Sequence, residues 1–99
     1  MRVARAKELV KCIGVCAGSG SSVLTKPADC YVTGEMGHHD VLACVANGTS
    51  VILCEHSNTE RGYLVELQTR LDSLLNKDPN FKKIDIVISK TDRDPLEIV

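Results

Sequence analysis

The sequence has no long apolar run and no large excess of charge of either sign. No stretch approaches the roughly 20 apolar residues that a membrane-spanning helix needs. Twelve basic and thirteen acidic residues give a formal net charge of −1, so the overall balance draws the chain neither to nucleic acid nor to an anionic membrane. These absences predict a water-soluble protein, which we expect in the cytoplasm, with a mitochondrial or nuclear location left open.

The amino terminus also lacks the marks of a targeting segment. Residues 1–8 are basic but few, they include Glu8, and they have neither the apolar core of a signal peptide nor the serines of a transit peptide. We interpret them as the last turns of a helix or a flanking segment. A chain that starts inside an element suggests a fragment of a longer protein.

The cysteines lack the close C-x-x-C spacing of a redox motif or a zinc site. Their number is odd, and most of them fall on predicted strands or a helix. The five are Cys12, Cys16, Cys30, Cys44 and Cys54. We therefore expect reduced structural thiols in a cytosol-like compartment rather than a disulfide framework.

Apolar periodicity predicts strands that alternate with helices within a single domain over residues 1–99. We expect strands at residues 10–16, 30–33, 50–54 and 82–89, a short helix at 23–25, a second at 38–47, and a longer one whose leucines from Leu64 to Leu75 share a face. This alternation is typical of an α/β fold, here a three-layer-like unit with a largely parallel or mixed four-stranded sheet.

Three polar loops leave the same edge of the sheet if the first three strands are parallel. The loops cover residues 18–22, 34–40 and 55–60, and the second and third contain all three histidines of the chain. Ligands of open α/β sheets gather outside the carboxyl ends of the strands. We therefore expect the chemistry of this protein at that edge.

The first loop has two interpretations. It is either a tight turn from strand to helix with serine caps, or a weak contact for an anion or a substrate phosphate. The residues of that weak contact would be Gly18, Ser19, Gly20 and Ser21. Its spacing does not match the dinucleotide-binding fingerprint, because Val23 stands where the third glycine should be.

The second loop, with His38, His39 and Asp40, also has two interpretations. It could be an ordinary helix start, in which Asp40 complements the helix dipole and both imidazoles are solvated. It could instead provide one imidazole that binds a metal or transfers a proton.

The third loop offers a helix cap or a pair of metal ligands. Ser57 and Glu60 have the spacing of a capping box, in which the Glu60 side chain reaches back to the N–H of Ser57. His56 and Glu60 are also near one helical turn apart, so they could bind one divalent ion through nitrogen and carboxylate oxygen. Two ligands are too few for tight binding, so the others must come from the histidine loop, another subunit or further sequence.

The loops and their flanking strands together resemble a known family. The segments VTGEMGHHD at residues 32–40 and VILCEHSNTE at residues 51–60 are similar to the C-terminal half of the Nif-three-like family. This group is the NGG-one-interacting-factor-three family, also called the GTP cyclohydrolase I type 2 family. The glycine loop, residues 29–34 and the closing residues 94–96 fit the same pattern, so the resemblance spans nearly the whole chain.

The resemblance implies a two-metal centre in a cleft between two similar α/β halves of a toroidal homo-oligomer. His56 and Glu60 match the metal ligands that the C-terminal half supplies. His39 matches a histidine beside the cleft that would contact substrate or transfer a proton, and Glu35 matches an acidic position in the same loop. His38 carries less weight, because bacterial relatives often have an aromatic residue at its position.

Two classes of function follow from the resemblance. The first is a divalent-metal-binding hydrolase, or one half of it, with zinc, iron, manganese and magnesium not distinguished. The second is a non-catalytic scaffold that binds regulatory, transcription-related protein partners, as the family name implies. The family's remaining ligands, a histidine pair and an aspartate, have no match in this sequence, which favours a C-terminal half of a longer two-lobed protein.

Overall fold

The computed structural model of the chain describes residues 1–97 and residue 99, which form two compact units. Residues 1–60 make up the first unit and residues 61–99 the second. Among the described residues, no helix has the length and apolar character needed to cross a membrane.

The first unit is a four-stranded mixed sheet with two helices. Its strands lie in the order β1-β4-β3-β2. The elements are β1 (Arg2–Ala4), β2 (Ile13–Ser19), β3 (Cys30–Glu35), α1 (His38–Ala46), β4 (Ser50–Leu53) and α2 (His56–Glu60). The predicted α/β class with a mixed sheet is therefore confirmed.

The three strands β2, β3 and β4 are parallel, so their carboxyl ends share one edge of the sheet, as expected. Cys30 pairs with Ile13 of β2 on one side and with Ser50 of β4 on the other. The β2–β3 register shifts by one residue between Cys16 and Ser19, where β2 has an extra residue. Such a bulge bends a strand and redirects the groups beside it.

The core lies on the two inner strands, because these alone have neighbours on both sides. Val51 and Thr33 are fully buried, and Cys30 and Tyr31 are buried beside them. The Tyr31 hydroxyl donates a hydrogen bond of 2.7 Å to the Lys26 carbonyl, so the polar end of this buried ring is satisfied. All five cysteines are free, although Cys30 alone is buried.

Residues 2–4 form a strand, so the expectation of a helix end at the amino terminus was wrong. β1 pairs antiparallel with β4, with Arg2 opposite Leu53 and Ala4 opposite Val51. Three residues carry too little periodicity to indicate a strand. The open edge of β4 supplies the hydrogen-bond partners that select the extended conformation.

Two further predictions on the first unit were inaccurate. The first long strand begins at Ile13 rather than at residue 10, and it continues through Ser19. No helix forms at residues 23–25, where the chain makes a turn with Val23 and Leu24 both donating N–H groups to the Gly20 carbonyl. Pro27 follows too soon for the turn to extend into a helix.

The second unit begins with a 3-10 helix at Arg61–Tyr63 and continues as α3 (Leu64–Leu75). The predicted pair of Glu66 and Arg70 is present on α3 at 2.8 Å. The Arg61 guanidinium binds Asp92 with contacts of 2.9 and 3.3 Å, which ties the end of the chain to the 3-10 helix.

The strand predicted at residues 82–89 does not form among the described residues. Ile84 instead pairs with the Asn76 carboxamide, donating its N–H over 2.8 Å and accepting over 2.9 Å. Gln68 donates to the Ile86 carbonyl over 2.6 Å. A strand requires a ladder partner, and here two side-chain amides satisfy the backbone in its place.

The loop between β1 and β2 is held by one carboxylate. Asp29 accepts hydrogen bonds from the Lys7 ammonium at 2.7 Å and from the backbone N–H groups of Lys11 and Cys12 at 3.0 and 2.9 Å. These contacts, Lys7 first, lower the pKa of Asp29 from 3.8 to about 2. The ionised carboxylate therefore fixes the loop that leads into β2.

We predict that Asp29→Asn lowers the melting temperature by several degrees at pH 7. The Lys7 ammonium donates to one oxygen of Asp29 and the two backbone N–H groups to the other, and the carboxamide nitrogen cannot accept a hydrogen bond. Either the ammonium or both N–H groups therefore lose their acceptor. Because folding lowers this pKa, the contribution of Asp29 is complete above its ordinary value and is lost as the pH falls toward 2. The difference between variant and parent should therefore shrink between pH 4 and pH 2 in thermal denaturation.

The matched control is Asp85→Asn, which removes the same charge from an exposed aspartate of the second unit. A difference between Asp29→Asn and its parent that stays constant down to pH 2 would contradict the role assigned to the ionised carboxylate.

Candidate metal centre

The candidate site lies where β4 passes into α2. β4 ends at Leu53, and the Cys54 N–H donates to the Thr33 carbonyl over 2.9 Å, so the chain stays hydrogen-bonded to β3 for one more residue. Glu55 then has a φ of 69°, a left-handed conformation that few non-glycine residues adopt. This turn places His56 as the first residue of α2, directly over the carboxyl ends of the strands.

Two carboxylates flank the His56 imidazole, one at each ring nitrogen. Glu35 Oε1 lies 2.9 Å from Nδ1, and Glu60 Oε1 lies 3.2 Å from Nε2. Glu35 is the last residue of β3, and Glu60 stands four residues after His56 on α2. The sheet and the helix thus bring together side chains from two loops, Glu35 from the second loop and His56 and Glu60 from the third.

The side chains of this cluster are about half exposed, so solvent and a ligand both have access to it. The exposed fractions are 43% for His56, 59% for Glu35 and 52% for Glu60. The hydrogen bond to Glu35 is the main cause that raises the pKa of His56 above its usual value. Partial burial opposes this shift, and the negative charge of Glu60 adds to it.

Gly18 makes room for the cluster at the bulge of β2. Its φ of +66° favours glycine, and a Cβ there would collide with Glu60 Oε1 and lie 3.1 Å from His56 Nε2. Gly34 of β3 is equally confined, since its Cβ would lie 2.6 Å from the Thr59 hydroxyl and 2.7 Å from the Gly18 carbonyl. The helix can approach the sheet this closely because both positions lack side chains.

Hydrogen bonds through two threonines fix that approach. The Gly18 N–H donates to the Thr59 hydroxyl oxygen over 2.9 Å, and the buried Thr33 hydroxyl donates to the Gly18 carbonyl over 3.1 Å. The Thr59 hydroxyl in turn donates to the His56 carbonyl over 2.8 Å. Thr33, Gly18 and Thr59 therefore connect β3, β2 and α2 directly beneath His56 and Glu60.

The spacing of His56 and Glu60 suits two ligands of one ion. Donor atoms about 2.1 Å from a tetrahedral ion lie about 3.4 Å apart, close to the 3.2 Å between His56 Nε2 and Glu60 Oε1. Among the described residues, no three His, Cys, Asp or Glu side chains are grouped so as to hold a metal ion. The pair therefore fits part of a metal site, and the chain does not supply a complete one within its described part.

The capping box predicted for this segment does not form. α2 begins at His56, so Ser57 lies in the first turn instead of at the cap. The Glu60 carboxylate lies against the imidazole and Gly18. The left-handed turn at Glu55 makes the helix begin at His56, one residue before the predicted cap. The local sequence pattern of a capping box gives no sign of such a turn.

His38 and His39 lie at the first turn of α1 with their ring centroids 5.9 Å apart in an edge-on arrangement. Asp40 follows in the same turn, as the helix-start interpretation predicts. The ring contact of His39 is with His38, whereas His56 contacts Glu35 and Glu60. The role of His39 as a substrate contact or proton carrier stays a prediction.

The glycine loop has few backbone donors left for an anion. The N–H of Gly18 donates to Thr59, and the N–H of Gly20 donates to the Glu35 carbonyl over 3.2 Å. No helix starts after the loop, so no helix dipole is directed at it. The weak anion contact predicted for residues 18–21 stays a prediction, and the N–H groups of Gly18 and Gly20 would not contribute to it.

Sequence reasoning missed the residues that support the cluster. Gly18 was considered for its backbone N–H, whereas its role here is to leave space for Glu60. Thr59 and Thr33 were not singled out at all. Thr59 offered one signal, because it lies three residues after His56 on the helix and so one turn away on the same side.

Comparisons with known proteins identify the family of the chain. The family model Duf34/NIF3 (NGG1p interacting factor 3) matches residues 1–95. NIF3-like protein 1 of Homo sapiens is 57% identical over 91 residues, which cover 91% of this chain and 23% of that protein. NGG1-interacting factor 3 of Saccharomyces cerevisiae is 45% identical over 92 residues, which cover 90% of this chain and 30% of that protein.

A crystal structure of a Staphylococcus aureus hypothetical protein is similar in fold, with a TM-score of 0.61 and 28% sequence identity. The match covers 99% of this chain and 29% of that one. The chain thus spans between about a quarter and a third of the length of these relatives. The family model and the identities together show that the chain belongs to the Duf34/NIF3 (NGG1p interacting factor 3) family.

Proposed function

We propose that this chain contributes one side of a divalent-metal centre, with His56 and Glu60 as its two ligands. The observation that carries the proposal is the 3.2 Å between His56 Nε2 and Glu60 Oε1 above the carboxyl ends of three parallel strands. A third donor is needed for a stable site. The chain spans a minor part of its relatives, so the remaining ligands would come from further sequence or from another subunit of a toroidal homo-oligomer.

The reaction class that fits this centre is metal-dependent hydrolysis, in line with the GTP cyclohydrolase I type 2 label that the family carries. A divalent ion bound there would polarise a carbonyl or phosphoryl oxygen and make water more acidic. His56 and Glu60 would supply the nitrogen and oxygen donors, and His39 would carry protons at the edge of the cleft. Nitrogen with carboxylate oxygen suits zinc, iron and manganese, and magnesium to a lesser degree.

We predict that His56→Ala removes at least half of the bound divalent metal from the intact protein. The variant loses the nitrogen donor. Because the His56 side chain is about half exposed, its removal should leave the fold intact. Elemental analysis after dialysis measures the metal content, and circular dichroism checks the fold.

His38→Ala is the matched control, because it removes an exposed imidazole that lies outside the cluster. Metal content of His56→Ala equal to that of the parent and of this control would refute the assignment of His56 as a ligand.

Gly18→Ala should weaken metal binding without removing a ligand. The new Cβ would occupy the space of Glu60 Oε1, and a non-glycine residue at positive φ costs about 1–2 kcal/mol. We expect a lower melting temperature and at least tenfold weaker Zn²⁺ binding in a chelator competition.

Gly62→Ala provides the comparison for Gly18→Ala, because a Cβ at Gly62 would meet nothing within 4 Å. Equal Zn²⁺ affinity in Gly18→Ala and Gly62→Ala would mean that the metal pair does not depend on the close approach of β2 to α2.

A non-catalytic interaction scaffold is the second candidate. The observation that favours it is the name of the yeast relative, an NGG1-interacting factor, together with the lack of a complete ligand group among the described residues. On this hypothesis, binding of a regulatory protein partner should be the same with and without a chelator, as measured by calorimetry. Metal-dependent turnover across a panel of nucleotides and phosphoesters would favour the hydrolase instead.

A further inference from the structure

Glu35 lies on the side of the His56 ring that faces away from Glu60. Its Oε1 is 2.9 Å from Nδ1, which leaves Nε2 directed at Glu60. The backbone of Glu35 is fixed by the sheet, because it pairs with Ser19 of β2 and its carbonyl accepts the N–H of Gly20. The carboxylate therefore approaches the imidazole from a rigid strand end.

The difference between the two carboxylate contacts favours one tautomer of the neutral imidazole. A carboxylate only accepts hydrogen bonds, and Glu35 is the closer carboxylate, at 2.9 Å from Nδ1 against 3.2 Å between Glu60 and Nε2, so a single proton on the ring is favoured at Nδ1. The lone pair is then on Nε2, 3.2 Å from Glu60 Oε1. The opposite tautomer would direct the lone pair of Nδ1 at Glu35, the closer of the two carboxylates, and is therefore the less favourable of the two.

We propose that Glu35 is a positioning residue that holds the Nδ1–H tautomer of His56 and thereby directs Nε2 and Glu60 Oε1 at one ion. This inference rests on the metal site proposed above and assigns a role to a residue that is not itself a ligand. Metal-binding histidines commonly donate their second N–H to a carboxylate, which orients the ring and increases its basicity.

A purely structural role explains the pair less well. Glu35 is 59% exposed and His56 is 43% exposed, and ion pairs this open to solvent contribute little to stability. Thr33, Gly18 and Thr59 already attach α2 to the sheet without Glu35. What Glu35 adds is the orientation and the tautomer of one ring.

The test compares Glu35→Ala and Glu35→Gln in the intact protein, with Zn²⁺ affinity measured by chelator competition. Because support of this kind is worth about 10- to 100-fold in metal affinity, Glu35→Ala should weaken Zn²⁺ binding by that factor. Glu35→Gln keeps a carbonyl oxygen that accepts the Nδ1–H, so it should recover most of the affinity. Glu66→Ala, which removes an exposed carboxylate from α3, controls for the change in charge.

A second readout does not depend on metal. In the metal-free protein, at a pH where His56 is neutral, ¹⁵N nuclear magnetic resonance should show the Nδ1–H tautomer in the parent and in Glu35→Gln. Glu35→Ala should shift the ring toward the Nε2–H tautomer, while its melting temperature stays close to that of Glu66→Ala.

The outcomes separate this inference from the proposed function. Parent-like Zn²⁺ affinity in Glu35→Ala, or an unchanged tautomer, would overturn the positioning role even if the parent binds metal tightly. If the parent binds no Zn²⁺, the proposed metal function fails, and the tautomer measurement alone then decides whether Glu35 orients His56.

Discussion

The close approach of α2 to the bulge of β2 is the contact on which the rest of the site depends. Gly18 occupies a left-handed conformation with no side chain, and its N–H and carbonyl are bound by Thr59 and Thr33. Because no Cβ intervenes, the Glu60 carboxylate fills the space above the strand and lies beside the His56 ring. A wider gap between helix and sheet would leave the same residues present but apart.

The electrostatics of the cluster follow from that packing. One imidazole lies between two carboxylates, so its protonated form is favoured in the absence of another cation, and the hydrogen bond to Glu35 is the main cause. A divalent ion at Nε2 would compensate the same negative charges while displacing a proton. The half-exposed position of all three side chains leaves the cluster accessible to solvent and to ligands.

Sequence patterns predicted the parallel part of the sheet well, because its strands carry continuous apolar runs and end in polar loops. They identified the edge at which His56 and Glu60 lie, and the one-turn spacing of the pair. They failed for β1, whose three residues depend on the open edge of β4, and for residues 82–89, whose alternating isoleucines lack a ladder partner among the described residues. Both failures have one cause: a strand is defined by its neighbour, which local sequence does not contain.

The sequence by itself determined three things: the α/β class through its periodicity, the family through the resemblance of residues 32–40 and 51–60, and the pairing of His56 with Glu60 through their one-turn spacing. Only the tertiary structure decided that Glu35 faces Nδ1 and that Gly18 leaves room for Glu60. Those contacts join residues 21 and 42 positions apart in the chain, and their distances follow from a one-residue shift in strand register and a left-handed turn at Glu55. Both features depend on how the strands and the helix pack, and no local pattern encodes that packing.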